Sequence, residues 1–242
     1  MIKPGSLSII ATPIGHPRDI TLRALDTLRQ ADAVICEEAR PGSTLLKKHD
    51  IQKPLILLNE HNEDDAVPQI VMRLLNGENL ALISDCGTPV FADPGRSLLQ
   101  ALEDSGIRVT PVPGPASLTA ALSVCKFDLR NFVFGGFLPR ESGERRRALA
   151  SLQASGMPVI LMDAPYRLKA LLEDVAFIFG KDQPVMLGCD LTLPGEKVLH
   201  GSLGDIAKRT AGKKCEYILI VAGRRGDGSS GYRSKRSGKR RQ

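Results

Sequence analysis

The stretch SDCGTPVFADPG, residues 84–95, follows the apolar run Leu80–Ile83 and precedes a helix-like run at 97–102. Gly87, Pro89, Pro94 and Gly95 fix a rigid turn at the end of a strand, where an α/β protein brings bare backbone N–H and C=O groups up to a small molecule. An ordinary strand-to-helix connection is the alternative for this loop on its own. Two more loops stand in the same position: ATPIGH (11–16) after the strand-like run 7–10, and PVPGPAS (111–117) after the run 108–112. All three sit at the carboxyl ends of expected strands, the edge of an open α/β sheet where ligands collect. None matches G-x-G-x-x-G or G-x-x-x-x-G-K-[ST], so neither a dinucleotide fold nor an NTPase is indicated.

Outward from these loops, strand-like runs at 7–10, 33–36, 55–58, 80–83 and 108–112 alternate with helical patterns near 21–29, 43–48, 67–75, 97–105 and 116–124. Ser43 stands where an N-cap belongs, and Gly77 and Gly106 where helix-terminating glycines belong. This alternation predicts a mostly parallel sheet covered on both faces. The pattern resets near 126–131. Later strands at 132–137, 158–163, 185–190, 197–200 and 217–221 are more closely spaced around helices near 166–179 and 203–210, which predicts a mixed sheet. The expected organisation is an α/β domain at 1–127, a second α/β domain at 128–223 and a basic tail at 224–242.

The formal charge of the 242-residue chain is +6. Residues 224–242 hold eight lysines and arginines against the single Asp227, so the excess lies in the tail and the body is nearly neutral. That Gly/Ser-rich tail lacks apolar residues to fold and can add sequence-independent affinity for phosphates, or serve only as a solubilising end. Five cysteines, with no C-x-x-C pair, argue against a disulfide framework and a zinc site. No apolar run approaches the roughly 18–20 residues of a membrane span, and residues 1–6 are too short and polar for a signal peptide, so the expected location is the cytoplasm.

Polar clusters stand at the same sheet edge. Glu37, Glu38 and Arg40 follow the second strand, and Asn59, Glu60, His61, Asn62 and Glu63 the third. A carboxylate or His61 can orient or deprotonate a hydroxyl, and Arg40 can grip a phosphate in a bidentate fork. Solvated first-turn residues are the alternative. In GGFLPRESGERRRAL (135–149), Arg140, Arg145, Arg146 and Arg147 are placed to track an RNA backbone, with Ser142 as a candidate helix cap and a solvated helix face as the alternative. An aromatic content of 4%, with no Trp, argues against a single-strand binder that works by stacking.

Six ordered motifs, ATPIGHPRDITLRAL (11–25), NEHNE (59–63), SDCGTPVFADPG, PVPGPAS, GGFLPRESGERRRAL and APYR (164–167), resemble the ribosomal small-subunit RNA methyltransferase I family of the tetrapyrrole methylase superfamily. The resemblance implies a two-domain α/β fold that holds S-adenosylmethionine in a cleft between its domains. Carried over by motif, it implies cofactor contacts from Pro13, Thr88, Val90, Phe91, Ala92, Ala116, Ser117 and Met162. It further implies methylation of a ribose 2′-hydroxyl in small-subunit ribosomal RNA, with Glu38, Glu60 or His61 near the hydroxyl and Arg40, Arg140, Arg145 and Arg146 on phosphates. A homodimer follows from the same resemblance. The chain departs from the family pattern at EEAR (37–40), MDAPYR (162–167) and CDLTLPGE (189–196), where the family typically has EDTR, YESPHR and an R-E-L-T-K-like run. These departures fall where substrate choice is made.

Overall fold

A computed structural model describes residues 3–91 and 93–224. Ala92 and the basic tail beyond Arg224 lie outside the described residues, as do the expectations attached to them.

The first sheet has the order β3-β2-β4-β1-β5, built from β1 (Ser6–Ile10), β2 (Ala33–Cys36), β3 (Leu55–Leu57), β4 (Leu80–Ile83) and β5 (Arg108–Val112), with every neighbouring pair parallel. β2 and β4 are buried along their whole length, as their unbroken apolar sequences require of strands covered on both faces. Pro111 is tolerated because β5 is an edge strand. The intervening helices are α1 (Leu22–Gln30), α2 (Ala39–Lys48), α3 (Glu63–Leu75) and α4 (Arg96–Leu102). Ala24, Leu28 and Leu46 of α1 and α2 pack with Ile10, Val34 and Ile83 on one face. Ile70, Leu74, Leu98 and Leu102 of α3 and α4 pack with Leu7, Ile35 and Leu82 on the other.

That division follows from right-handed crossovers. The chain moves outward from β1 to β2 and β3, then returns through β4 and passes over β1 to β5. Connections leaving the adjacent strands β1 and β4 therefore depart on opposite faces. The crevice between them is a topological switch point, and the first two loops open there.

The second sheet, in the order β6-β7-β10-β8-β9, is mixed: β6 (Val133–Gly136) and β7 (Val159–Asp163) are parallel, while β10 (Tyr217–Val221), β8 (Pro184–Cys189) and β9 (Lys197–Ser202) pair antiparallel. Helices α6 (Ser142–Ala154), α7 (Leu168–Phe179) and α8 (Leu203–Arg209) bury Leu149, Leu171, Val175 and Ile206 against one face. The opposite face, Ile160, Met186, Ile218 and Ile220, is covered by Leu118, Ala121 and Leu122 of α5 (Ser117–Val124). A helix that sequence alone puts in the first domain is thus the lid of the second sheet, and it carries the third loop with it.

Three local expectations are corrected. Helix α2 begins at Ala39, so Glu38 rather than Ser43 occupies its N-cap position, and Ser43 donates its hydroxyl to Arg40 O at 3.1 Å. NEHNE leads directly into α3, whose first turn contains Glu63. The cap of α6 is Glu141, whose carboxylate accepts the Gly143 and Glu144 N–H groups at 2.8 and 2.6 Å. Ser142 lies inside that helix and is bonded to Asp174 instead.

Candidate functional site

The three loops are stitched into one body. Thr12 N–H donates to Gly87 O at 2.8 Å and Gly87 N–H to Thr12 O at 3.2 Å. The buried Thr12 hydroxyl donates to Ser84 O at 3.0 Å. Cys86 Sγ donates to Ile14 O at 3.6 Å, and the Thr88 hydroxyl to Pro115 O at 3.3 Å, tying the second loop to the first and third. Gly87 has φ +85°, in the left-handed region, and a Cβ there would touch Ile14 Cγ2 at 3.4 Å. Desolvation, then the Glu216, Asp93 and Asp85 charges, push the Cys86 thiol up, so it stays protonated as a hydrogen-bond donor.

Between the first and third loops lies a cavity of about 370 Å³ lined by Ile14, Asp19, Gly114, Pro115, Ala116, Thr119, Ala120 and Thr192. Helix α5 opens into it at Ala116, whose methyl cannot cap, and no side chain among the described residues caps the first-turn N–H groups of this helix. Val90, in the second loop, has φ +70°, rare for a β-branched residue and typical of a backbone held by its surroundings at a ligand site. Met162 packs in the same cluster as α5. Of the residues expected on the cofactor, Ala116 lines this cavity, Thr88 is bonded to Pro115 of its wall and Met162 packs in the cluster that holds α5. Backbone polar groups and small side chains dominate its wall, which fits a compact polar and apolar cofactor such as S-adenosylmethionine.

The second lobe closes on the first loop at CDLTLPGE. Thr192 Oγ1 accepts the His16 N–H at 2.9 Å. A Cβ on Gly15 would lie 2.7 Å from Thr192 Oγ1, 2.9 Å from Leu191 O and 2.9 Å from Leu193 Cγ, so this approach requires glycine. Phe91 meets Phe134 of β6 with ring centroids 4.9 Å apart. Nothing in the local sequence marked Thr12, Gly15 or Thr192 for these roles.

The acceptor side is acidic. Glu37, Glu60, Glu63, Asp93 and Pro94 line a pocket of about 350 Å³ where the β2, β3 and β4 loops converge. Glu37 is half-buried, and burial, followed by Asp85, Asp93, Glu38 and Glu60, raises its carboxyl. Asp85 is raised by burial and by Glu38. Glu38 is exposed, and Glu60 and His61 sit in solvent with Oε1 and Nε2 3.5 Å apart. Glu63 does something sequence reasoning missed: its Oε1 accepts the Gly95 N–H at 3.0 Å and latches the second loop to α3. Arg40 is exposed in the first turn of α2.

The four arginines expected on RNA have different fates. Arg140 and Arg147 are exposed. Arg145 is buried: Nε donates to Asp174 at 2.7 Å and Nη1 to Arg140 O at 2.7 Å, so its expected place on a phosphate is corrected to a place in the α6–α7 interface. Arg146 is divided, donating to Asp174 at 2.6 Å while its guanidinium lies 4.2 Å over the Phe177 ring. Burial raises Asp174, but hydrogen bonds from Arg146, Ser142 and Arg145 outweigh it and hold the carboxyl below its ordinary value.

Residues 6–207 match the family model described as Tetrapyrrole (Corrin/Porphyrin) Methylases. A protein of Xylella fastidiosa (strain Temecula1) named ribosomal RNA small subunit methyltransferase I is 41% identical over 92% of this chain and 83% of its own length. Its namesake from Thermotoga maritima is 37% identical over 91% and 99%. Among solved structures, a diphthine synthase superposes with a TM-score of 0.71 at 16% identity, covering 90% of each chain. A cobalt precorrin-4 methyltransferase does so at 0.66 and 20%, covering 90% of this chain and 94% of that one. These two share the fold. With its three loops joined at a switch point and its relatives aligned nearly end to end, the chain belongs to the tetrapyrrole methylase family, in the branch of the small-subunit ribosomal RNA methyltransferases I.

Proposed function

We propose that this protein transfers the methyl group of S-adenosylmethionine to a ribose 2′-hydroxyl of small-subunit ribosomal RNA. The observation that carries the transfer is the loop cradle at the β1/β4 switch point, with the uncapped start of α5 beside it. When bound, the cofactor supplies a methyl on a sulfonium, and the chain supplies position. Pro13, Thr88, Val90, Phe91, Ala116, Ser117 and Met162 would hold it, with Ala92 a further candidate from the sequence. The two lobes proposed to enclose it divide near residue 127 along the chain, with α5 packed on the second sheet.

The acceptor must lose a proton as its oxygen takes the methyl. Glu38, Glu60 and His61, the groups expected from sequence, are joined here by Glu37, whose carboxyl is raised by burial and by the neighbouring acids. Such a pocket repels anions and admits a neutral hydroxyl. Phosphates are then left to Arg40, Arg140, Arg146 and Arg147, all outside it. The same acidity disfavours a carboxylate-bearing tetrapyrrole as acceptor. The names of the relatives support ribosomal RNA. A cytoplasmic homodimer belongs to this reading, and sedimentation of the purified chain checks the dimer.

Mass spectrometry of ribosomal RNA from a deletion strain and its parent tests the acceptor. One lost ribose methyl, restored by the intact gene and poorly by Arg40→Ala, is expected. Identical ribose methylation in both strains refutes it.

A further inference from the structure

Four aromatic side chains among the described residues are more than half exposed: Phe91 at 57%, Phe137 at 55%, Tyr166 at 64% and Phe177 at 68%. Phe177 is covered on one face by Arg146. The other three all lie at or against the β6–β7 pair. Phe91 is in the second loop, against Phe134 of β6. Phe137 follows the end of β6, and Tyr166 lies three residues beyond the end of the neighbouring parallel strand β7. Gly136 is registered against Leu161, so Phe137 and Tyr166 both lie beyond the carboxyl end of this parallel pair.

The fold takes trouble to hold them there. The β6–β7 register shifts between Phe134 and Gly136, and Gly136 has φ +57°. Such a bulge re-aims the residues after it. Gly136 and Leu138 are buried while Phe137 between them is exposed. Arg167, next to Tyr166, donates from Nη2 to Leu138 O at 3.1 Å and Pro139 O at 2.8 Å, and its Nη1 lies 2.9 Å from Asp163 Oδ1. One guanidinium thus clamps the β6 and β7 exits, and both rings project from a rigid base. Exposed Arg140 follows Phe137 by three residues, and exposed Arg147 lies in the second turn of the helix that follows.

Resting on the RNA reading above, we propose that Phe137 and Tyr166 form a stacking platform for unpaired bases flanking the acceptor ribose, so that the enzyme takes its RNA single-stranded at this point. An exposed aromatic pair is costly to leave in water unless something covers it. Aromatic faces take any base, and adjacent arginines take the phosphates that come with it, which is the chemistry of an unpaired RNA strand and not of an apolar peptide or a duplex. The low aromatic content argued against stacking only as an average. Among the described residues, three of the four most exposed aromatic side chains lie at or against the β6–β7 pair.

Binding of a short unpaired RNA, the same RNA with abasic residues, and its duplex to the full chain tests this, using fluorescence anisotropy. Phe137→Ala and Tyr166→Ala should each weaken unpaired RNA roughly 5- to 100-fold, the effect of one lost base–aromatic stack. Tyr166→Phe should bind like the parent. The slope of affinity against salt should be unchanged in all variants, because no phosphate contact is removed. Abasic RNA should bind the parent weakly, with little further loss in the Ala variants, and cofactor titration should be unaffected. Unchanged affinity of the Ala variants for unpaired RNA, or equal losses on abasic RNA, overturns the platform while leaving the RNA reading intact. A parent chain that binds no unpaired RNA and still binds the cofactor overturns both.

Discussion

Thr12 and Gly87 exchange a reciprocal pair of backbone hydrogen bonds across the crevice between β1 and β4, joining two loops 75 residues apart in sequence. That bridge turns two flexible connections into one rigid wall, and the Thr12 hydroxyl extends it to Ser84 O. Thr12→Val keeps the shape and removes the donor, leaving buried Ser84 without it. The expected cost is about 1–3 kcal/mol of stability, with weaker cofactor binding. Urea unfolding and calorimetric titration with S-adenosylmethionine check it; a variant equal to the parent in both contradicts the assignment.

Gly87→Val adds a side chain at φ +85°, facing Ile14. Left-handed backbone costs a residue with a Cβ roughly 1–2 kcal/mol, and the branched side chain must displace Ile14 or rotate the loop. Cofactor affinity is expected to fall tenfold or more while the far-ultraviolet circular dichroism spectrum stays unchanged.

Asp174 neutralises Arg145 inside the α6–α7 interface. Asp174→Asn leaves that guanidinium buried without its counter-charge, an expected loss of about 3–5 kcal/mol at neutral pH. The native carboxyl is held below its unfolded value, so its contribution is complete above the unfolded value near 4 and is lost as pH falls through the folded one. Denaturant midpoints should therefore separate parent and variant widely at pH 7 and converge as pH falls below the ordinary carboxylate range.

Glu37 carries the opposite sign. Its native carboxyl is raised, so the folded state holds the proton more tightly and stability falls as pH rises from the unfolded value toward the folded one. Glu37→Gln should be more stable than the parent at pH 7, with the difference gone near pH 4, and slower in methyl transfer. Thermal melts at the two pH values, beside a turnover assay, separate these effects; a less stable variant at pH 7 would show that Glu37 is not repelled by its neighbours.

Tyr217 is buried with its hydroxyl unpartnered, as is Asp163 Oδ2 on the paired strand. Burial, then the Asp163 charge, raises the phenol. Removing the hydroxyl discards a desolvated polar group, so Tyr217→Phe is expected to change stability by less than about 1 kcal/mol, or to raise it. A larger loss on thermal denaturation would reveal a buried water bridging the two oxygens.

Much of the architecture was legible in the chain because it is written locally. Apolar runs such as Leu80–Ile83, interrupted by Gly/Pro loops, specify strands and their exits within a few residues, and the body's near-neutral charge separates it from its basic tail. The three ligand loops could be put at one sheet edge from alternation alone, and the motifs identified the family. What only the tertiary structure decided depends on partners far along the chain. Arg145 and Arg147 look alike in sequence, yet Asp174, 29 residues from Arg145, buries one while the other stays in solvent. Glu63 became a latch because β4 brings Gly95 to it, Thr192 because CDLTLPGE folds back onto Gly15, and α5 a lid because the second sheet had an apolar face to cover. Burial and long-range hydrogen bonding are properties of two segments together, and no window of sequence contains both.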